Sequence, residues 1–417
     1  MTDQEFAKAL REYAALVIRS GCNIQTGQEL MIAADVDSVE FVRLLTAEAY
    51  ELGAKRVTVR FGDTVISRMN YQYGSLEQFE QFPEWLALLH NSMANAGAAV
   101  LMVDSSDPLA MAGVDPMKMV AYQRAAHVAC NEYYAAMDAG RLVWCIVGAA
   151  ASGWASRVFP DKSQDEALRS LWQVIFKTVR VDGSDSSQKT WQEHRASFIR
   201  RATWLNDQCF DSLHYSNSLG TDLTVGLNQH GIWKGGGDTT VSGLEFFPNM
   251  PTEEIFTTPD FRRVEGVVYS SMPLAHNGQV IEDFSIRFVN GIASECQAKR
   301  GLESLQAIIA TDDGAKSLGE CALVPWTSPI REAGILFYST LYDENASCHL
   351  ALGTGFPDCL LGGTEMGEDE LKSNGVNKSA THVDFMIGTQ DMSIVGIKAD
   401  GSRIPIFVNG EWSEAVG

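Results

Sequence analysis

Gln28-Glu29-Leu30-Met31-Ile32-Ala33-Ala34 opens a stretch that closes on Val57-Thr58-Val59-Arg60-Phe61, and how this stretch is read decides the fold. The first run is short and apolar without polar alternation, the pattern of a strand covered on both faces. Residues 39–52 carry helical periodicity, and Gly53-Ala54-Lys55-Arg56 turns the chain into the second run, which is rich in β-branched residues. Strand, helix and strand in that order make a βαβ unit, so a parallel sheet is expected near the N-terminus. No Gly-x-Gly-x-x-Gly follows either strand, which argues against a dinucleotide site.

Outward from this unit the α/β rhythm continues. Residues 5–19 read as an amphipathic helix with Phe6, Leu10, Tyr13, Leu16 and Val17 on one side. Residues 85–98 read as helix, Ala99–Asp104 as a buried strand, and 117–139 as one long helix capped by Gly140. A strand over 142–147 and a helix over 163–178 follow, before the polar run 182–187 interrupts the pattern. After a helix containing Phe198-Ile199-Arg200-Arg201-Ala202 the texture changes. Short strands are expected at Asp222–Leu227 and at residues 266–269, 284–288 and 335–338, separated by turns such as Gly235-Gly236-Gly237. The expected architecture is an α/β domain with a parallel βαβ sheet over residues 1–185. A larger, β-rich α+β domain is expected over 186–417.

The 417 residues hold 53 acidic and 32 basic side chains, a formal net charge of -21. Such a field repels nucleic acid and anionic membranes and attracts cations, metal ions and free amino groups included. The longest apolar run, residues 142–151, is about half the length that crosses a bilayer. The N-terminal residues lack the basic and apolar regions of a secretory signal, so a cytoplasmic protein is expected. Eight scattered cysteines with no Cys-x-x-Cys fit free, mostly buried thiols in a reducing compartment.

Chemistry concentrates in the second half. In Thr381-His382-Val383-Asp384-Phe385-Met386-Ile387-Gly388 polar and apolar residues alternate, so His382 and Asp384 leave a strand from one face. That pair suits a divalent metal, and it equally describes a hydrogen-bonded His–Asp pair at a sheet end. Its company upstream carries the metal reading. Glu253 and Glu254 are adjacent carboxylates between Pro251 and Pro259, facing opposite ways in an extended segment, so at most one is a direct ligand. Glu320 enters the apolar run Leu318-Gly319-Glu320-Cys321-Ala322-Leu323-Val324, where it needs a partner from elsewhere. His349 begins the apolar run that follows Asp343-Glu344-Asn345-Ala346-Ser347-Cys348. Three carboxylates and two imidazoles exceed a closed structural zinc site and suit two catalytic ions sharing a carboxylate. The donors admit zinc, cobalt or manganese. Trp144, Trp154, Trp191, Trp204 and Trp233 are assigned to packing, and His90 and His127 to structural positions. His194, His214, His230 and His276 show no carboxylate companions at metal spacing, with His230 the one to test for proximity.

NMPTEEIFTTPD, LGECALV, DENASCHLALG and THVDFMIG, in that order, resemble the aminopeptidase T/aminopeptidase S family of dinuclear metallopeptidases. FIRRATWLN, GTDLTV, GQELMI and ELGAKRVTV extend the resemblance over essentially the whole chain. It implies a metal-dependent aminopeptidase acting on peptides with a free N-terminus, two divalent ions per chain (zinc, cobalt or magnesium) and a homodimer. The implied metal ligands are Glu254, Glu320, His349, His382 and Asp384. The family's tyrosine at the metal centre falls on Phe356, which cannot coordinate a metal or donate a proton. The general base is left unassigned, Glu253 being the carboxylate nearest in sequence. Two alternatives stay open: hydrolysis of another amide, such as an N-acyl amino acid, and a non-enzymatic metal- or peptide-binding protein.

Overall fold

Leu30, Met31 and Ile32 are fully buried at the centre of Glu29–Asp35, a strand flanked in parallel by Arg56–Gly62 and Ala99–Asp104. Trp144–Gly148 and the two-residue strand Asn249–Met250 extend the sheet, again in parallel. The βαβ expectation therefore holds, with Val39–Glu51 as the crossover helix. Capping boxes start two covering helices: Thr2 with Glu5 at Asp3–Leu16, and Ser163 with Glu166 at Gln164–Thr178. Tyr13 stacks on Phe41 at 4.9 Å, and Trp172 meets the same ring edge-on at 5.6 Å, so both helices pack against the crossover helix.

The computed structural model describes residues 1–276 and 278–417. By their internal packing these form two units: Met1–Glu193 with Gly237–Pro251, and His194–Gly236 with Thr252–Gly417. No described helix is long and apolar enough to cross a membrane.

Two sequence expectations fail. The helix over 117–139 is two helices, Pro116–Ala129 and Asn131–Asp138, broken at Cys130, whose ψ of 34° leaves the helical basin. Residues 335–338 form no strand. The Asp343 carboxylate accepts hydrogen bonds from the backbone N–H groups of Phe337 and Ser339 (2.8 and 3.1 Å), and Tyr338 has φ +57°, so the segment wraps around that carboxylate.

In the second unit a nine-stranded sheet, with Pro259–Tyr269, Gln279–Val289 and Ile292–Arg300 as its long members, shares one apolar core with a five-stranded sheet. The five strands run in the order His382–Met386, His349–Gly353, Leu318–Leu323, Ile255–Thr257 and Lys234–Gly235, all antiparallel. Leu350, Leu352, Cys321, Leu323, Val383 and Phe385 turn into the core from one face of this sheet. Fully burying a side chain of the Leu or Phe class contributes about 1.5–3 kcal/mol. That burial fixes the register, and the register fixes what the other face presents.

Candidate metal centre

Pairing across the five-stranded sheet places every candidate ligand on its second face. Glu320, Ala351 and Asp384 stand opposite one another on three neighbouring strands, and Gly353 faces His382. One row further along, Lys234, Phe256, Ala322, His349 and Met386 line up across all five strands. Glu254 lies two residues before Phe256 and so leaves from the same side. Ala351 and Gly353, small residues between large polar ones, keep the middle of this face hollow.

A β-bulge makes Glu320's placement compatible with the core beneath it. Leu318 and Glu320 are two apart and would share a face in a regular strand. The register shifts between them, so Leu318 joins the core opposite Leu352 while Glu320 turns to the site. The extra residue is Gly319. A Cβ there would sit 2.1 Å from the Thr354 carbonyl oxygen and 2.5 Å from that of Gly353, so the close approach admits no side chain.

The five residues converge in two overlapping groups. Glu254, Glu320 and His349 each offer a ligand atom with all three atoms within 4.8 Å of one another, and Glu320, His382 and Asp384 do the same. Glu320 belongs to both. His349 Nε2 lies 3.1 Å from Glu254 Oε2, while His382 Nε2 lies 3.2 Å from both Glu320 Oε2 and Asp384 Oδ1.

Both imidazoles are oriented from behind. His349 Nδ1 faces the Ser347 carbonyl at 3.1 Å and His382 Nδ1 faces the Thr354 carbonyl at 2.8 Å. A carbonyl oxygen only accepts, so each Nδ1 carries the proton and donates it, and in the neutral ring each Nε2 points a lone pair at carboxylates. Asp384 Oδ1 is buried and has no hydrogen-bond partner. Lone pairs facing carboxylates, with an orphaned oxygen among them, need a cation between them, and N and O donors of this kind suit a divalent metal. The residues present therefore fit a divalent metal.

The electrostatics of the bare cluster express the same crowding. Burial raises the Glu320 carboxyl to about 7, with the charges of Asp384 and Glu254 adding to the rise and the hydrogen bond to His382 opposing it. Burial lowers the His349 pKa, but hydrogen bonding to Glu254 and its charge, reinforced by Glu320 and Asp384, carry the imidazole up to about 10. His382 is likewise held well above its ordinary value, chiefly by Asp384, against burial.

A carboxylate that sequence reasoning passed over faces the cluster. Glu344 lies in the turn before the His349 strand; burial first, and then the charges of Asp384 and Glu254, push its carboxyl well above the ordinary range. It lines a narrow crevice together with Asp343, Asp384 and Met386. Its polar surroundings gave no periodic signal; the adjacency Glu344-Asn345 ahead of His349 was the only trace. Asn345 is fully buried: its Oδ1 accepts from the Glu253 backbone N–H (2.7 Å), while its Nδ2 donates to the Leu341 carbonyl (3.0 Å) and to Glu344 Oε1 (3.4 Å). One amide thus ties the Glu254 segment to the Glu344 turn.

Other residues resolve differently. Glu253 turns away from the cluster, its Oε2 3.7 Å from His194 Nε2, and His214 Nε2 lies 2.8 Å from Asp222 Oδ1. His194 and His214 therefore do have carboxylate neighbours, Glu253 from far along the chain and Asp222 across the adjoining antiparallel strand, but neither histidine joins a ligand group. His230 is exposed and outside both groups. His90 and His127 rest on Tyr133 and Tyr134, and Trp154, Trp191 and Trp233 are buried. Phe356 sits at the centre itself, its ring 5.0 Å from that of His382.

The sequence profile of the thermophilic metalloprotease (M29) family matches residues 6–412. The chain belongs to the M29 family. It is 44% identical over 408 residues to aminopeptidase AmpS of Bacillus subtilis (strain 168), covering 98% of this chain and 99% of that one. To aminopeptidase T of Thermus aquaticus it is 40% identical over 410 residues, covering 98% and 99%. Among solved structures, wild-type AmpT from Thermus thermophilus superposes with a TM-score of 0.90 at 38% identity, covering 98% of this chain and 99% of that one. M29 membership makes the chain a metallopeptidase, and the resemblance drawn from four motifs holds along its whole length.

Proposed function

We propose that this chain is a metal-dependent aminopeptidase that removes N-terminal residues from peptides, with Glu254, Glu320, His349, His382 and Asp384 holding two divalent cations and Glu320 shared between them. The observation that carries this reading is the pair of ligand groups meeting at Glu320 on one sheet face. Zinc, cobalt and magnesium are the candidate ions. Bound there, they supply Lewis acidity toward the scissile carbonyl and acidify a water toward neutrality.

The chain's own residues do the rest. The Ser347 and Thr354 carbonyls hold the two imidazoles with Nε2 presented to the site. Glu344, not part of either ligand group, takes a proton from the attacking water and delivers it to the leaving amine. The acidic face attracts the substrate's α-ammonium group, which selects a free N-terminus. The architecture divides the work: the second unit carries the catalytic sheet, and the protein acts in the cytoplasm as a homodimer, its cysteines free.

The test is chelator-stripped protein reconstituted with each ion and assayed on paired peptides, one with a free and one with an acetylated N-terminus. Release of the first residue from the free peptide alone, restored by metal, is the expected result. Turnover confined to the acetylated peptide would replace the exopeptidase with an N-acyl amidohydrolase. Full metal uptake without turnover of either peptide would make the chain a binding protein.

A further inference from the structure

Beside the charged cluster stand two partly exposed aromatic rings, Phe256 on the same sheet face and Phe356 in the loop after the His349 strand. Phe356 packs on His382 at 5.0 Å between ring centroids, and Phe256 meets Phe356 edge-to-face at 5.5 Å. Phe256 shares its row with His349 and leaves from the same side as Glu254. Met386 and Leu274 line the crevice on the Glu344 side of the cluster, and the two rings form the apolar surface on the side of Glu254 and His382.

The wall is rigid and uncharged. Thr258, two residues beyond Phe256, accepts a hydrogen bond from the Phe356 backbone N–H at 2.7 Å and donates its hydroxyl to the Phe356 carbonyl at 3.2 Å. That exchange fastens the Phe356 loop to the Phe256 strand. Lys234, opposite Phe256 in the sheet, is neutralised by Asp358, two residues after Phe356, at 2.5 Å.

We infer that Phe256 and Phe356 determine specificity by walling the subsite for the side chain of the substrate's N-terminal residue, and that the enzyme prefers large apolar residues there. The inference rests on the aminopeptidase reading. In a peptide that presents its first carbonyl to the His382 group, the side chain departs from the carbon next to that carbonyl. It therefore leaves beside His382, where the Phe356 ring borders the site. Leucine or phenylalanine buries surface against the rings, glycine does not, and aspartate loses its hydration beside a Lys234 already paired with Asp358.

The experiment measures kcat/KM for Leu-Ala, Phe-Ala, Gly-Ala and Asp-Ala with cobalt-loaded wild type, F256A, F356A and F356Y, with metal content determined in parallel. Wild type should favour Leu-Ala over Gly-Ala. F256A and F356A should each cut that ratio by about tenfold, the scale at which a hydrophobic pocket discriminates, chiefly through KM. F356Y keeps the ring and should keep the ratio. An unchanged ratio in both alanine variants, with metal content and turnover retained, overturns the inference, as does a wild-type preference for Gly-Ala or Asp-Ala. Should an alanine variant fail to fold, F256L and F356L take its place, with the Phe-Ala to Leu-Ala ratio as the readout and an unchanged ratio again decisive against. Failure of the aminopeptidase reading looks different: no release of a first residue from any of the four dipeptides by wild type.

Discussion

At the scale of the residue, the site is an arrangement of charges that do not tolerate one another unaided. Burial raises Glu320 to about 7, with the charges of Asp384 and Glu254 adding to the rise, and hydrogen bonding to Glu254 with the surrounding carboxylates carries His349 up to about 10 against its burial. At pH 7 the ion-free cluster therefore holds protons, and the ligands that carry them must shed them to bind. Raised values mean that the proton-bearing forms persist up to about those pH values, so metal affinity climbs as pH rises toward and through 7. Titration calorimetry at pH 7 in buffers of different ionisation enthalpy should find about one proton or more released per chain at saturation. Zero net release would contradict the geometry. Asn345 offers a second test at this scale, since it holds the Glu254 segment and Glu344 through one amide without facing the substrate. Asn345→Ala should lower metal affinity or kcat/KM by roughly 10–100-fold, the usual range for a residue supporting a metal ligand. A variant with wild-type kinetics would remove Asn345 from the site.

At the scale of the element, the Glu320 strand does two jobs that a regular strand cannot combine. The bulge at Gly319 lets Leu318 face the core while Glu320, two residues on, faces the ligand cluster. Gly319→Ala would push a methyl group into two backbone carbonyls. It should cost about 1–3 kcal/mol, as overpacking does, seen as a lower melting temperature, and it should weaken metal binding by displacing Glu320. Unchanged stability with unchanged metal affinity would show that the strand absorbs the methyl group elsewhere. The bulge also marks where the sequence stops being informative. His382 and Asp384 could be placed on one face from alternation alone, and the opposed directions of Glu253 and Glu254 followed from the same rule. The period-2 rule applied to Leu318 and Glu320 gives the wrong pairing, because a register shift leaves no mark in residue type beyond a glycine. Cys130 breaks a helix whose sequence reads as continuous, and the run 335–338 looks like a strand until Asp343 captures its N–H groups. Propensity yields there to local side-chain-to-backbone hydrogen bonds.

At the scale of the whole molecule, the sequence reads in two textures, alternating strands and helices first and short strands between glycine turns after, whereas internal packing groups Gly237–Pro251 with the first unit. It could not show that Asn249–Met250 runs beside Trp144–Gly148, since a two-residue strand has no period to detect. Nor could it show Glu344, whose position beside the cluster depends on a turn closing on strands nearly forty residues further along the chain. With an excess of acidic groups giving -21, the molecule draws cations toward itself, and the sheet face converts that general attraction into a site with defined donors. The account stands on Glu320 serving both halves of that site. An anomalous-difference map from crystals grown with zinc or cobalt measures this directly. It should show two peaks in each chain, roughly 3.5–4 Å apart, with Glu320 between them, His349 and Glu254 on one side and His382 and Asp384 on the other. A single peak, or two peaks that do not share Glu320, would contradict it.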